Sequence, residues 1–414
     1  MSLNGTYSAT VDLNMFINED AGSLVAITGA DPSLGAWSHQ AFVPHPLGTD
    51  SPPLRQATYL AVANARASLA ALDSTARQLP NPTLLRRPTL RLEAQSTSAL
   101  EGTYEPVIDV LTADEHPPPR TNMREILNYE SMANHAFRVI AEKRPISSRF
   151  LCEFQELLVR GTKDEGPDIG RIRQSQVVVG RRRSVAAIEA MPVKAARFVP
   201  CPPGLTLESD VRALIDWVRS DHSGLVDPVV AAAMSHYQFE TLHPFHDGNG
   251  RIGRLLVVLQ FYLHDVLSEP TLTISPWFEA RRSDYYDHLL FVSCTGDWDA
   301  YVRFFANGIQ ESAALTRRQM LSLVRVQNEL RDVVRASNLR ADTAHALVDY
   351  AVANTSFTVR GVQRDLGVSY GRANVLVQQL QDLGILQTLD SSSPTRRFYA
   401  PRVLDVLVQP GGTP

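Results

Sequence analysis

Apolar residues recur at helical spacing along most of the chain and alternate in only a few short stretches. Residues 54–79 read as an alanine-rich helix, a composition that loses little side-chain entropy on helix formation. Pro80, Pro82 and Pro88 interrupt the pattern. A second helix is expected from about residue 89 to 100, stopped by Gly102. Further helices are expected at 122–141, 150–160, 207–220, 227–242, 251–267, 280–293 and 298–335. Residues 170–200 differ in character. Val177–Val179 and residues 196–199 are β-prone on either side of a Gly- and Arg-rich stretch, which predicts a hairpin with a long tip, closed by Pro200, Pro202 and Pro203. Residues 1–55 are rich in Gly, Pro, Ser and Asn and support at most weak strands in an irregular arm. Residues 341–414 read as a separate module, with helices at 341–353, 358–366 and 369–383 and two strands at 386–389 and 397–400. Helix-turn-helix plus hairpin is the winged-helix layout.

A chain of 414 residues has two or three domains as its prior. Its formal charge of -4 excludes bulk attraction to nucleic acid or anionic lipid. Cys152, Cys201 and Cys294 are odd in number and widely spaced, which points to a reducing compartment without a disulfide framework and away from a cysteine metal site. No run approaches the roughly 18–20 apolar residues of a membrane span. The N-terminus lacks a basic segment and carries Glu19 and Asp20, so no signal peptide and a cytoplasmic location are expected.

The chemistry concentrates in residues 243–254, His-Pro-Phe-His-Asp-Gly-Asn-Gly-Arg-Ile-Gly-Arg, followed at once by an apolar run. His243 accepts a proton near neutral pH without special tuning. Asp247 is a hard oxygen ligand suited to Mg²⁺. Gly248, Asn249 and Gly250 form a turn whose N–H groups face an anion at a helix start. Arg251 and Arg254 are three apart, and guanidinium forks match phosphate oxygens. An exposed helix terminus contributes only about 0.3–1 kcal/mol per charge, too little to hold a triphosphate without the arginines and a metal. A zinc site fails for want of ligands, because only His243 and His246 cluster there.

This motif resembles that of the Fic-domain family, His-x-Phe-x-(Asp/Glu)-Gly-Asn-Gly-Arg-x-x-Arg, and every fixed position matches. The resemblance implies transfer of a nucleoside monophosphate, usually AMP from ATP, onto a protein hydroxyl. His243 would then deprotonate the attacking Ser, Thr or Tyr, and Asp247 would hold the metal on the phosphates. The amides of Gly248–Gly250 would stabilise the oxyanions, with Arg251 and Arg254 gripping the triphosphate tail. A related branch resembling the Doc toxins has lysine in place of Gly250 and phosphorylates, so Gly250 argues against phosphorylation.

Residues 97–102 read Thr-Ser-Ala-Leu-Glu-Gly. Thr97 and Glu101 share a helix face, and a carboxylate at a helix C-terminus is mildly unfavourable unless it has a partner. The stretch is similar to the family's inhibitory helix, (Ser/Thr)-x-x-x-Glu-(Gly/Asn). That likeness implies that Glu101 pairs with Arg254 and occupies the fork needed by the γ-phosphate. The same carboxylate could instead position water for removal of AMP. Gly170–Arg173 and residues 176–180 resemble the segment leading into the family's flap, which lays a target peptide across the site by strand addition. Val179 and Gly180 would then border the nucleotide. Arg181, Arg182, Arg183, Lys194 and Arg197 would favour acidic target segments. Tyr286 is expected to line the base pocket.

The expected fold is mainly α: a Fic-type helical bundle with a β-hairpin flap, plus a C-terminal winged helix-turn-helix domain. The divisions are an N-terminal arm and helix (1–84), a Fic domain (85–315) with inhibitory helix 89–102 and flap 176–199, a linker helix (316–340) and the winged-helix-like domain (341–414). The expected ligands are ATP and Mg²⁺, and the expected partners are a protein with a hydroxyl acceptor and a second copy of the chain, with no membrane. The alternative class is a DNA-binding regulator, with Ser369, Tyr370, Arg372 and Asn374 heading a recognition helix and Arg396 and Arg397 in the wing. Seven Arg against six Asp and no Lys over residues 340–414 argue against it.

Overall fold

In the computed structural model, residues 13–78, 86–113, 121–181, 190–339, 342–390 and 396–408 are described. The first regular element differs from expectation. Instead of an irregular arm, residues 22–44 form a ten-by-ten hairpin, β1 (Gly22–Asp31) and β2 (Gly35–Pro44), paired antiparallel from Gly22↔Pro44 to Asp31↔Gly35. Asp31 closes its turn by accepting from the amides of Ser33 (2.8 Å) and Leu34 (3.0 Å), and Gly35 takes a positive φ of 83°. The amide of Phe42 donates to Val199 O (2.9 Å), so the hairpin abuts the segment that follows the flap.

The helices fall largely where the periodicity puts them. They are α1 (Gln56–Gln78), α2 (Arg86–Leu100), α3 (Val107–Thr112), α4 (Thr121–Ala141) and α5 (Ser148–Val159). The flap follows as β3 (Val179–Arg181), a short α6 (Pro192–Ala195) and β4 (Ala196–Phe198). Then come α7 (Leu205–Arg219), α8 (Pro228–Leu242), α9 (Asn249–Leu263), α10 (Ser275–Ala280), α11 (Arg282–Thr295) and the 38-residue α12 (Asp299–Ala336). The bundle is built around α8 and α9, each burying thirteen of its fifteen residues; helices apolar all round belong inside. α1 runs alongside α12 in step and in the same direction. Thr58 donates to Asp299 Oδ1 (2.7 Å) at one end, and Arg317 donates to Thr75 Oγ1 (2.9 Å) at the other.

The last unit comprises α13 (Asp342–Ala353), β5 (Phe357–Thr358), α14 (Val359–Leu366), α15 (Tyr370–Asp382), β6 (Gln387–Asp390), β7 (Arg397–Tyr399) and α16 (Pro401–Val408). Its antiparallel sheet has the order β5-β7-β6. Thr358 and Ser369 cap α14 and α15 by accepting from Gly361 N (3.1 Å) and Arg372 N (3.2 Å). The apolar core continues into this unit without a break. Ser356 donates to Thr112 O (2.8 Å), Arg397 donates to Ala113 O (3.0 Å), and Thr355 donates to Leu111 O. These three bonds satisfy carbonyls at the end of α3, which a helix terminus leaves without intrahelical partners. Arg87 near the start of α2 donates to Asn354 Oδ1 (2.7 Å). Among the described residues, no helix is long and apolar enough to cross a membrane.

Candidate active site

The site forms where α8 ends and α9 begins. His243 caps α8 with left-handed backbone (φ 50°, ψ 62°), a conformation uncommon outside glycine. The turn that follows is closed by a reciprocal amide pair. The amide of Phe245 donates to Asn249 Oδ1 (2.9 Å), and Asn249 Nδ2 donates to Phe245 O (2.8 Å). Phe245 is fully buried and pins the loop. Gly248 is the N-cap of α9 at φ 91°, and a Cβ there would meet Leu158 at 2.8 Å, so only glycine fits. The first N–H groups of α9 have no carbonyl within the helix, and Gly250 in that turn borders a cleft.

His243 Nδ1 lies 3.3 Å from Glu240 O. A carbonyl only accepts, so Nδ1 carries the proton and Nε2 keeps its lone pair. Burial, reinforced by the Arg173 guanidinium, pulls the imidazole down to about 4, so at pH 7 it is neutral and can accept a proton, though as a weaker base than a free imidazole.

Two buried arginines stand behind this base. Arg254, 1% exposed, donates through Nε to Thr97 Oγ1 (2.8 Å) and through Nη2 to Thr97 O (3.0 Å) and Glu101 Oε1 (2.7 Å). Its Nη1 is buried without a hydrogen-bond partner. Burial alone would push the Glu101 carboxyl up, but the charge and hydrogen bond of Arg254, with Arg251 and His243 beyond, bring it below the usual range. Burial likewise works against the Arg254 charge, and Glu101 more than offsets it. Gly250 permits this approach, since a Cβ there would sit 2.0 Å from Glu101 Oε1 and 2.9 Å from Arg254 Nη1. Arg251 points elsewhere, into ion pairs with Glu125 and Asp247. Thr103 Oγ1 in turn donates to Glu125 Oε1 (2.9 Å). Arg251 therefore orients the half-exposed Asp247 carboxylate and is spent within the protein, whereas Arg254 alone of the two faces Glu101.

A cleft of about 560 Å³ opens beside these groups, lined by His243, Gly250, Glu101, Tyr286, Val179 and Gly180 among others. The flap strands pair antiparallel, Val179↔Phe198 and Arg181↔Ala196, and Gly180 has φ 63°. Arg197 is held inward by an ion pair with Asp287 on α11. The charged tip residues Arg182 and Arg183 lie outside the described residues. The two adjacent tyrosines separate as helical geometry requires. Tyr285 is buried against His236 (2.7 Å), while Tyr286 borders the cleft with its hydroxyl 3.5 Å from Leu100 O.

Residues 145–261 match a model of the Fic/DOC family, and residues 59–138 match that of the Fic/DOC family N-terminal region. The chain carries a Fic/DOC domain. It is 31% identical over 145 residues to a protein adenylyltransferase, fic-1, of Caenorhabditis elegans, covering 35% of this chain and 24% of that protein. It is 29% identical over 248 residues to a protein adenylyltransferase, Fic, of Drosophila virilis, covering 57% of this chain and 43% of the relative. The chain thus spans less than half the length of either curated relative. A Fic family protein from Desulfovibrio desulfuricans G20 superposes with TM-score 0.50 at 21% identity, covering 85% of this chain and 98% of that structure, a likeness of fold.

The helix that precedes Glu101, in the segment matched by the N-terminal family model, is firmly packed. α2 buries twelve of its fifteen residues. Its Glu93 accepts from the amides of Ile274 (2.9 Å) and Ser275 (3.0 Å), capping α10. At the C-terminal end of α2 the chain opens to solvent, where the Glu101 side chain is 29% exposed and Gly102 has φ 94°.

Three residues of this site escaped the sequence reading of the motif. Glu125 backs Arg251, Arg173 sits under His243, and Glu240 lines the cleft. Glu240 Oε1 is buried without a partner, and burial pushes its carboxyl up to about 8. The folded state then keeps a proton that the unfolded chain releases, so stability falls as pH rises from about 4.5 to about 8. Glu240→Gln is expected to flatten that slope, gaining roughly 1–3 kcal/mol at pH 8 and little at pH 5. Urea unfolding at both pH values checks this; an equal shift at both would contradict it.

Proposed function

We propose that the protein transfers AMP from ATP to a hydroxyl side chain of a target protein, and that Glu101 holds the site in an inhibited state. The observation that carries this reading is the convergence, at one cleft, of a neutral histidine whose Nδ1 faces a carbonyl, Gly250 in the first turn of α9, and Glu101, with the buried Arg254 held directly behind Glu101. His243 Nε2 takes the proton of the target hydroxyl as its oxygen attacks the α-phosphorus. The bond from the α-phosphorus to the bridging oxygen breaks, and pyrophosphate leaves. Amides at Gly248–Gly250 face the charge that develops on the α-phosphate, and such preorganised donors are the largest single source of rate acceleration in sites of this kind. Tyr286 borders the base, and the β3–β4 flap presents the target as an added strand.

Among the described residues, no cluster of three His, Cys, Asp or Glu side chains could hold a metal on its own. Asp247 fits Mg²⁺ only with phosphate oxygens as further ligands, which is how Mg²⁺ is usually bound with nucleotides. When bound, the ion would neutralise phosphate charge beside Arg251.

Incubation with ATP labelled at the α- or γ-phosphate tests the reaction class. Label retained on protein from the α position and not from the γ position is expected; γ-label on protein would overturn the reading in favour of phosphorylation. The depressed His243 value gives a second test. A histidine at its ordinary value would be about 90% protonated at pH 5.5. With His243 at about 4, kcat should instead stay nearly flat from pH 7.5 to 5.5, a result read directly from single-turnover rates.

A further inference from the structure

Arg173 lies in the loop before the flap, 0% exposed, and makes no contact with the cleft itself. Among the described residues, each hydrogen bond it donates goes to a backbone carbonyl. Its amide donates to Pro244 O (2.9 Å), its Nε to His243 O (2.8 Å), its Nη1 to Ser175 O (3.1 Å), and its Nη2 to Leu242 O (3.4 Å) and Cys201 O. Two of these oxygens belong to the last turn of α8 and its cap, where carbonyls lack intrahelical partners and a cation is favoured. Pro244 O belongs to the motif turn. Ser175 precedes the first flap strand, and Cys201 follows the second. One guanidinium thus ties together the end of α8, the left-handed His243 and both ends of the flap.

Resting on the adenylyl-transfer reading above, we propose that Arg173 is a positioning residue for the transfer, fixing the catalytic base and the target-holding hairpin in a single frame. The argument is geometric. His243 occupies a backbone conformation that costs a non-glycine residue free energy, and such conformations persist only where surroundings over-determine them. The Arg173 bonds to the carbonyls on both sides of His243 and to that of His243 itself supply the constraint. A misplacement near 1 Å in a reacting group is enough to cost about a hundredfold in rate. The same guanidinium also stands beside the imidazole. The charged or polar groups facing that ring are Arg173 from the loop, Glu101 from the end of α2, and the Glu240 carbonyl from α8. Arg173 is the group among them that opposes protonation, so its removal should raise the proton affinity of His243.

The test uses the full-length chain carrying Glu101→Gly, whose own activity reports on the reading beneath this one. Into it go Arg173→Lys, which keeps the charge and loses the fork, and Arg173→Gln, which loses both. Three quantities are measured: ATP affinity by calorimetry, kcat and KM for label transfer, and the pH titration of the His243 ring by NMR of histidine-labelled protein, assigned by comparison with His243→Ala. Both variants are expected to lower kcat by 10- to 100-fold while ATP affinity, set by Arg254 and the α9 amides, changes less than about threefold. Only Arg173→Gln should move the His243 titration upward. If Arg173→Gln does not fold, Arg173→Lys alone decides the matter through kcat against ATP affinity. Unchanged kcat in a folded variant, or equal losses of ATP affinity and kcat, would overturn the proposal. Inactivity of Glu101→Gly itself would instead strike the adenylyl-transfer reading.

Discussion

Glu101→Gly is expected to raise self-modification and target modification by roughly 100-fold. The Arg254 guanidinium is buried, and Glu101 holds its Nη2 at 2.7 Å. On the proposed reading, a γ-phosphate would need that same edge of the fork. A hundredfold excess of the blocked state lowers apparent ATP affinity by the same factor, about 2.7 kcal/mol. The substitution has a second consequence. It leaves a buried guanidinium with Thr97 as its remaining side-chain partner, and breaking one side of a buried ion pair costs a few kcal/mol. The apo variant should therefore melt below the wild type, and ATP should stabilise the variant far more than the wild type. Thermal shifts with and without ATP check this; equal ATP-induced shifts in both proteins would contradict competition at Arg254.

His243→Ala in the Glu101→Gly background is expected to reduce transfer by about 10²–10⁴-fold, the range supplied by a positioned general base, with ATP affinity nearly unchanged. The separation follows from the geometry. On the proposed reading, the nucleotide's phosphates would be met by the α9 amides and Arg254, whereas His243 would meet the incoming hydroxyl. Single-turnover rates beside calorimetric ATP binding distinguish the two. A comparable loss in both would mean that His243 serves the cradle and not the proton.

The helices around the site were legible because burial imposes their period; α8 and α9 read as helices for the same reason that they are core. That Glu101 wants a partner was legible from a carboxylate at a helix end; that the partner is Arg254 came only from the resemblance to the family's inhibitory helix, and the structure places the two 2.7 Å apart. Glu125, Arg173 and Glu240 were not legible. Glu125 meets Arg251 across 126 positions and Arg173 meets His243 across 70, and no local pattern encodes such meetings. Glu240 lies three residues before His243 but has no signature of its own, and only the packing of α8 on α9 makes it a buried acid. The β1–β2 hairpin was obscured differently. Its strands mix Gly, Ser, Thr and Gln with apolar residues because only part of one face packs, so the alternation is diluted. The Asp31–Gly35 turn was the signal available. The burial of α2 was not legible either, because its mean polarity hides how many of its polar side chains find partners in the core.

On the proposed reading, a competent adenylyl-transfer site is held shut by Glu101 on Arg254. Intact-mass spectrometry of the wild type, Glu101→Gly and Glu101→Gly/His243→Ala after incubation with ATP and Mg²⁺ tests it most directly. The account predicts a mass gain of one or more AMP groups on Glu101→Gly, little on the wild type, and none on the double variant. Equal adducts on the wild type and Glu101→Gly, or an adduct that survives loss of His243, would contradict it.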